Sequence, residues 1–196
     1  MRLITFSGVD GSEKSTQLTL LKNKLEQEGQ KVAYFHAVEF SLASRFKKQT
    51  TADDHDGRAI TQASWFTIFL RKIFLFIDLV RFRFYMTALH KENYNVLLSD
   101  RYFYDSIINI EYLSKKPCRF LITETPLIIK PDLAFYFDLA PETIMSRDRV
   151  PEQGIDYLRD KMKLFKTKID RWDMILIDGS KPQESVFQDI LNKIDT

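Results

Sequence analysis

Five short apolar runs recur along the chain, and the stretches between them carry apolar residues at helical spacing. The first, Arg2 to Ser7, ends at a glycine and predicts a buried strand. Ser15 to Glu28 follows with Leu18, Leu21 and Leu25 three and four apart, and Gly29 stops it, which predicts an amphipathic helix. Lys31 to Phe35, Val96 to Ser99, Leu133 to Asp138 and Met174 to Ile177 supply four further strands. Arg58 to Asn93 reads as mainly helical, in two pieces, and Gly154 to Trp172 and Ser185 to Ile194 read as helices. Strands alternating with helices point to βαβ units, hence an α/β three-layer, doubly wound sandwich around a five-stranded parallel sheet. Ligands bind such sheets beyond the carboxyl ends of the strands. The segments to weigh are therefore Gly8 to Thr16, His36 to Glu39, Asp100 to Asp105, the residues after Asp138, and Asp178 to Lys181.

No linker, internal repeat or low-complexity tract breaks this rhythm, and 196 residues with 44% apolar content suit a single domain over 1–196. Lys and Arg number 29 against 27 Asp and Glu, a net charge of +2. That balance gives little support to nucleic-acid or membrane-surface binding, which calls for a concentrated basic excess. One cysteine, Cys118, permits no internal disulfide and fits a reducing compartment. The run Leu3 to Phe6 is too short for a signal peptide, so a cytoplasmic location is expected. Trp65 to Val80, "WFTIFLRKIFLFIDLV", is dense in Phe, Ile and Leu but interrupted by Arg71, Lys72 and Asp78. A membrane span needs about 20 largely uncharged residues, so the segment reads as a mostly buried helix, with a subunit interface as the competing reading.

Chemistry concentrates first in Gly8-Val9-Asp10-Gly11-Ser12-Glu13-Lys14-Ser15-Thr16. A phosphate-binding loop has Gly, four residues, Gly-Lys and then Ser or Thr, set between a strand and a helix. Here Gly8, Lys14 and Ser15 fall at that spacing, with Glu13 in place of the second glycine. Such a loop turns backbone N–H groups and a helix N-terminus toward phosphate oxygens. Lys14 would neutralise β- and γ-phosphate charge, and Ser15 would ligate Mg²⁺. Glu13 weakens nucleotide binding in three ways. Its carboxylate repels phosphate, by up to about 4 kcal/mol near 4 Å or under about 1 kcal/mol if it faces solvent. It can also stabilise the helix start in the phosphate's stead, and its side chain is ill suited to a glycine backbone conformation. The orientation of Glu13 decides the size of the effect.

Four stretches in order, "GVDGSEKST", "LLSDRYFYDS", "KPDLAFYFDLAPETIMSRDR" and "MILIDGSKPQESVFQDI", resemble the thymidylate kinase family over essentially the whole chain. Asp-Arg-Tyr after the third strand and Pro-Asp-Leu opening the fourth are the more specific markers. The resemblance implies a P-loop nucleoside monophosphate kinase fold that moves the γ-phosphoryl of ATP to a nucleoside monophosphate, with Mg²⁺ and dTMP as the first acceptor to consider. It implies that the ATP site spans Gly8, Val9, Asp10, Gly11, Ser12, Glu13, Lys14, Ser15 and Thr16, with Asp178 and Lys181 bordering the adenine. By the same resemblance Asp10 lies near the acceptor's sugar and phosphate, Arg101 grips that phosphate, and Tyr102 lines the acceptor pocket. Asp100 would hold the metal's water shell or orient the acceptor, and Arg147 and Arg149 fall in a short lid around 147–153. The turn after the second strand, Phe35 to Phe40, lacks the family's Arg-Glu-Pro-like pattern. The phenylalanine and arginine that read thymine also have no clear match, and Phe76, Arg81 and Arg83 are the nearest candidates. A homodimer through the Phe-rich helix at 65–84 is a further expectation.

Two other classes of function compete with a kinase. Glu13 and the altered acceptor residues suit a kinase-derived binding protein without catalysis, while the +2 charge disfavours a nucleic-acid-binding domain. His36, His55 and His90 lack zinc-ligand spacing, and each reads as a structural or solvated histidine. Lys14, Ser15, Asp100, Arg101 and the lid arginines together favour the enzyme, because phosphoryl transfer needs that whole set.

Overall fold

The computed structural model describes residues 1–42, 65–116, 127–146 and 153–194. Its strands are β1 (Arg2–Ser7), β2 (Val32–His36), β3 (Val96–Asp100), β4 (Leu133–Asp138) and β5 (Met174–Asp178). They form one parallel sheet in the order β2-β3-β1-β4-β5. Helices α1 (Lys14–Gln27), α2 (Ala37–Phe40), α3 (Trp65–Lys91), α4 (Phe103–Ser114), α5 (Pro141–Met145), α6 (Gly154–Lys166) and α7 (Gln183–Ile194) connect and cover it.

Alternation along the strands builds two cores. Ile4, Phe6, Leu98, Phe135 and Phe137 point to one face and pack on Leu18, Leu21 and Leu25 of α1 and on Val186 and Ile190 of α7. Leu3, Phe35, Leu97 and Tyr136 point to the other, against Leu79 and Phe82 of α3, Ile107 of α4 and Phe165 of α6. With both faces covered, the strands are apolar at nearly every position, which is why they read as continuous runs. Because all five are parallel, their carboxyl ends share one edge. His36 and Phe6 lie beside Asp100 there, and Asp138 lies beside Asp178.

Two expectations change. Of the stretch Arg58 to Asn93 expected to be helical in two pieces, Trp65–Lys91 is one continuous helix, and 58–64 lie outside the described residues. The stretch expected to be helical from Gly154 to Trp172 leaves the helix after Lys166 and runs through turns to Trp172. There the indole stacks on Tyr104 at 4.4 Å and 7°, and that contact replaces further helical turns.

Candidate active site

The loop between β1 and α1 needs its glycines. Gly8 and Gly11 have φ of +144° and +82°, and a Cβ on Gly11 would meet Ile144 Cγ2 at 2.8 Å. Glu13 also adopts the left-handed region, at φ 62° and ψ 16°, so the position demands what glycine gives freely. Its carbonyl accepts from Thr16 and Gln17 N–H, each at 3.2 Å, while its side chain is exposed and makes no capping bond. Glu13 also lines the cleft, so its exposure lets screening reduce its repulsion of phosphate without taking it out of the site.

Lys14 is 5% exposed, and its Nζ donates to Val9 O at 2.7 Å and Ser12 Oγ at 3.1 Å. Burial, then the Arg101 charge, lowers it to about 8, against the pull of Asp105, Asp10 and Asp100. Ser15 Oγ donates to Asp100 Oδ2 at 2.5 Å, joining the loop to the end of β3. Tyr34, on the same face of β2, is pushed up to about 12 by burial and by the Asp100 and Glu39 carboxylates.

Arg101 is the second non-glycine residue of the cleft held at positive φ, at 62°. Its N–H donates to Phe6 O at 2.9 Å and its carbonyl accepts from Ser99 Oγ at 2.6 Å, which fixes the turn. The guanidinium donates through Nη2 to Asp10 Oδ1, and Nη1 lies 3.8 Å from Asp105 Oδ1. Strained backbone is held where a side chain must be aimed, and Arg101 follows that rule, while at Glu13 it is the loop path that demands the conformation.

Asp105 closes the segment Asp100 to Asp105 that the sequence singles out, but the sequence assigns it no role of its own. It is 4% exposed and accepts from Ser7 Oγ at 2.6 Å, Tyr102 N–H at 3.0 Å and Gly8 N–H at 3.4 Å. One carboxylate thereby ties the start of the loop to the start of α4 and faces Arg101. Its signal in the sequence was an acidic residue in the first turn of a helix, which is ordinarily a cap. His36, expected to be structural, lines the cleft from the end of β2, and Nδ1 accepts from Glu39 N–H at 3.4 Å.

Asp10, Gly11, Glu13, Lys14, Ser15, Thr16, Asp100 and Arg101 therefore meet in one open cleft of about 800 Å³, closed on another side by Ser146. Several expected residues lie elsewhere. Tyr102 does not line this cleft; it is fully buried among Phe82, Phe103 and Tyr104, and its phenol donates to Ile129 O at 2.6 Å. Phe76 is on the outward face of α3 and 40% exposed. Arg81 binds Asp78 Oδ1 at 2.6 Å and Phe40 O at 3.1 Å and stacks over the Phe40 ring, which holds the turn after α2. Arg83 donates to Leu127 O at 3.3 Å. Asp178 ends β5 and Lys181 follows in the turn beyond it, two strands from β1, engaged by Ser180 and Asp189. Arg147, Arg149 and nearly all of the expected lid lie outside the described residues.

A second cavity of about 120 Å³ opens between α2, α3 and α4, lined by Arg71, Asp78, Ser106 and Asn109 among others. The Nε of Arg71 is buried with no hydrogen-bond partner among the described residues. In the sequence Arg71 looked like an interruption in an apolar run; the fold turns it inward beside the cavity.

The sequence model of the thymidylate kinase family matches residues 6–190. Thymidylate kinase of Thermosipho africanus is 26% identical over 202 residues, covering 95% of this chain and 94% of that protein. A probable thymidylate kinase of Methanosarcina mazei is 28% identical over 222 residues, covering 98% and 95%. The crystal structure of thymidylate kinase from Ehrlichia chaffeensis shares the fold, with a TM-score of 0.60 at 16% identity over 100% of this chain and 98% of that one. With Gly8, Lys14, Ser15, Asp100 and Arg101 assembled at the carboxyl edge of a parallel sheet, and the match running nearly end to end, the chain belongs to the thymidylate kinase family.

Proposed function

We propose that the protein transfers the γ-phosphoryl group of ATP to a nucleoside monophosphate, with dTMP the acceptor to test first. The observation that carries this reading is the gathering of Lys14, the Ser15–Asp100 pair and the Arg101–Asp10 pair in one cleft. Phosphoryl transfer asks the protein for positioning and positive charge more than for covalent chemistry. Lys14 sits on the loop that would cradle the donor's phosphates, and Arg101 offers the acceptor phosphate a planar fork of donors. Asp105 keeps loop and arginine in register. Mg²⁺ prefers oxygen ligands and keeps several waters, taking one or two protein oxygens beside phosphate. Ser15 Oγ and Asp100 Oδ2, 2.5 Å apart, are donors of that kind. The bound ion would neutralise phosphate charge.

Arg147 and Arg149 would add charge from the lid at 147–153, within one domain spanning 1–196. The acceptor's base would lie toward the second cavity, where Arg71 supplies buried donors. The outward face of α3 is the surface through which two copies would pair, and the compartment would be the cytoplasm. Among the described residues, no helix is long and apolar enough to cross a membrane. The exposure of Glu13 weakens the motive for a binding protein without catalysis, and the match to the thymidylate kinase family supports the enzyme over it.

The test is ADP formation from Mg-ATP with dTMP and the other nucleoside monophosphates in turn. Lys14→Ala should lower kcat by about 10²–10³-fold, the scale of losing one aimed charge at a phosphoryl site. Turnover at the parent rate in Lys14→Ala would sink the mechanism.

A further inference from the structure

The turn after β2 departs from the family's Arg-Glu-Pro-like pattern, and the histidine it holds instead lines the cleft. His36 ends β2, where parallel register sets it beside Asp100, the residue before Arg101. Its neighbour Phe35 packs on Phe82 of α3, so strand alternation turns His36 to the opposite face, that of α1. Ser15 and Thr16, at the start of α1, line the same cleft. The ring is half-buried and caps α2, with Nδ1 accepting from Glu39 N–H at 3.4 Å. Accepting takes the lone pair of Nδ1, so the ring proton sits on Nε2. That capping bond is the ring's one hydrogen bond among the described residues, which leaves Nε2–H to the cleft.

Capping alone does not call for histidine. Asp, Asn, Ser and Thr are the preferred caps, and α2 is a single turn of Ala37–Phe40. What the imidazole adds is a donor on the far side of its ring, and its place in the sheet selects the ligand. The strand order is β2-β3-β1, so His36 lies two strands from the loop that would cradle ATP, on the wall beyond Asp100 and Arg101. In-line transfer needs the acceptor opposite the donor's leaving group, which makes this far wall the acceptor's side. Ala37 and Val38, the next two residues, line the second cavity, toward which the acceptor's base would lie. A nucleotide laid from that cavity to Arg101 passes His36 at its phosphate end. A second cation here would pair with Asp100 and compete with the Ser15 bond, whereas a neutral N–H adds a donor without that competition.

We propose that His36 is an acceptor-binding residue: its Nε2–H donates to a phosphate oxygen of the nucleoside monophosphate that Arg101 holds. This deepens the phosphoryl-transfer reading and rests on it. The ring makes and breaks no covalent bond.

Calorimetry of dTMP, of thymidine and of Mg-ATP tests it on the parent, His36→Ala, His36→Asn and His36→Gln, each also melted. Asparagine keeps an acceptor for Glu39 N–H but falls short of the Nε2 position, while glutamine carries a donor out to that position. His36→Ala and His36→Asn should weaken dTMP about tenfold or more, the scale of one hydrogen bond to a charged group. Both should leave thymidine and Mg-ATP within about twofold. His36→Gln should recover most of the dTMP affinity, and His36→Asn should melt with the parent. Unchanged dTMP affinity in His36→Asn overturns the proposal, because capping is then the whole role of the ring. Equal losses on dTMP and thymidine overturn the phosphate contact, and equal losses on dTMP and Mg-ATP overturn the assignment to the acceptor. A parent that binds Mg-ATP but none of dTMP, dCMP, dGMP and dAMP overturns the acceptor reading itself, and this role with it.

Discussion

Glu13 stands in the left-handed region with its carboxylate exposed at the mouth of the cleft, and the two facts set separate costs. A side chain at such φ and ψ costs of the order of 1 kcal/mol that glycine does not. The charge is screened to the extent that the residue is exposed. Salt separates the two contributions. Glu13→Gly should raise the unfolding free energy by about 0.5–1 kcal/mol and tighten Mg-ATP several-fold at low ionic strength. Only the charge part of the ATP gain should fade in high salt. Denaturant unfolding and calorimetry in low and high salt read both. No gain in either would mean that the loop relaxes around Glu13 at no cost.

Helix α3 shows what one element can carry on two faces. Leu75, Asp78, Leu79, Phe82 and Leu89 point inward, and Asp78 is held by Arg81 and the Leu42 N–H. The opposite side presents Phe66, Phe69, Ile73, Phe76 and Ile77 at three- and four-residue spacing, with Phe84 73% exposed further along. The sequence reading of a mostly buried helix therefore holds for one face alone. A continuous apolar stripe of that length is unusual on a free surface and fits a second copy laid against it. Sedimentation at micromolar concentration should find a dimer. Phe69→Glu with Phe76→Glu should give monomers with unchanged far-ultraviolet circular dichroism. A parent sedimenting as monomer throughout would remove the interface.

Across the whole molecule, the fold places two ammonium groups, Lys14 of the loop and Lys161 of α6, in buried positions where their protonated forms are disfavoured. Both titrate near 8 in the fold against an ordinary 10.5. Between those values the unfolded chain binds more protons than the folded one, so stability rises with pH, by up to about 1.4 kcal/mol per pH unit for each lysine. The gain ends near pH 10, where buried tyrosines raised to about 12, such as Tyr104 and Tyr157, begin to resist ionisation that the unfolded chain allows. Activity runs the other way, because deprotonated Lys14 no longer offers charge to phosphate. The urea midpoint should therefore rise from pH 7.5 to 9.5 as the turnover rate falls, and Lys161→Met should lose part of the rise. A midpoint that falls over that interval in the parent would contradict the burial of these charges.

The strands were legible because a sheet covered on both faces needs apolar residues at nearly every position, and the loop because phosphate contact restricts which residues follow β1. Sequence spacing also placed Lys14, Ser15, Asp100 and Arg101 at strand ends on one edge, which parallel pairing then brought together. Four residues needed the fold. Asp105 shows Ser7 and Gly8 as its partners only in the fold, and Tyr102, expected to line the acceptor pocket, has its phenol on Ile129. Arg71 reads in the sequence only as an interruption of an apolar run, and the fold puts its Nε beside the second cavity; Lys161 carries no reading of its own there and is 4% exposed in the fold. Local sequence fixes the periodicity of an element and the residue types at its ends. Which charge on that element meets which partner depends on the rotation and packing of helices distant in sequence, and that is settled only when the chain is folded.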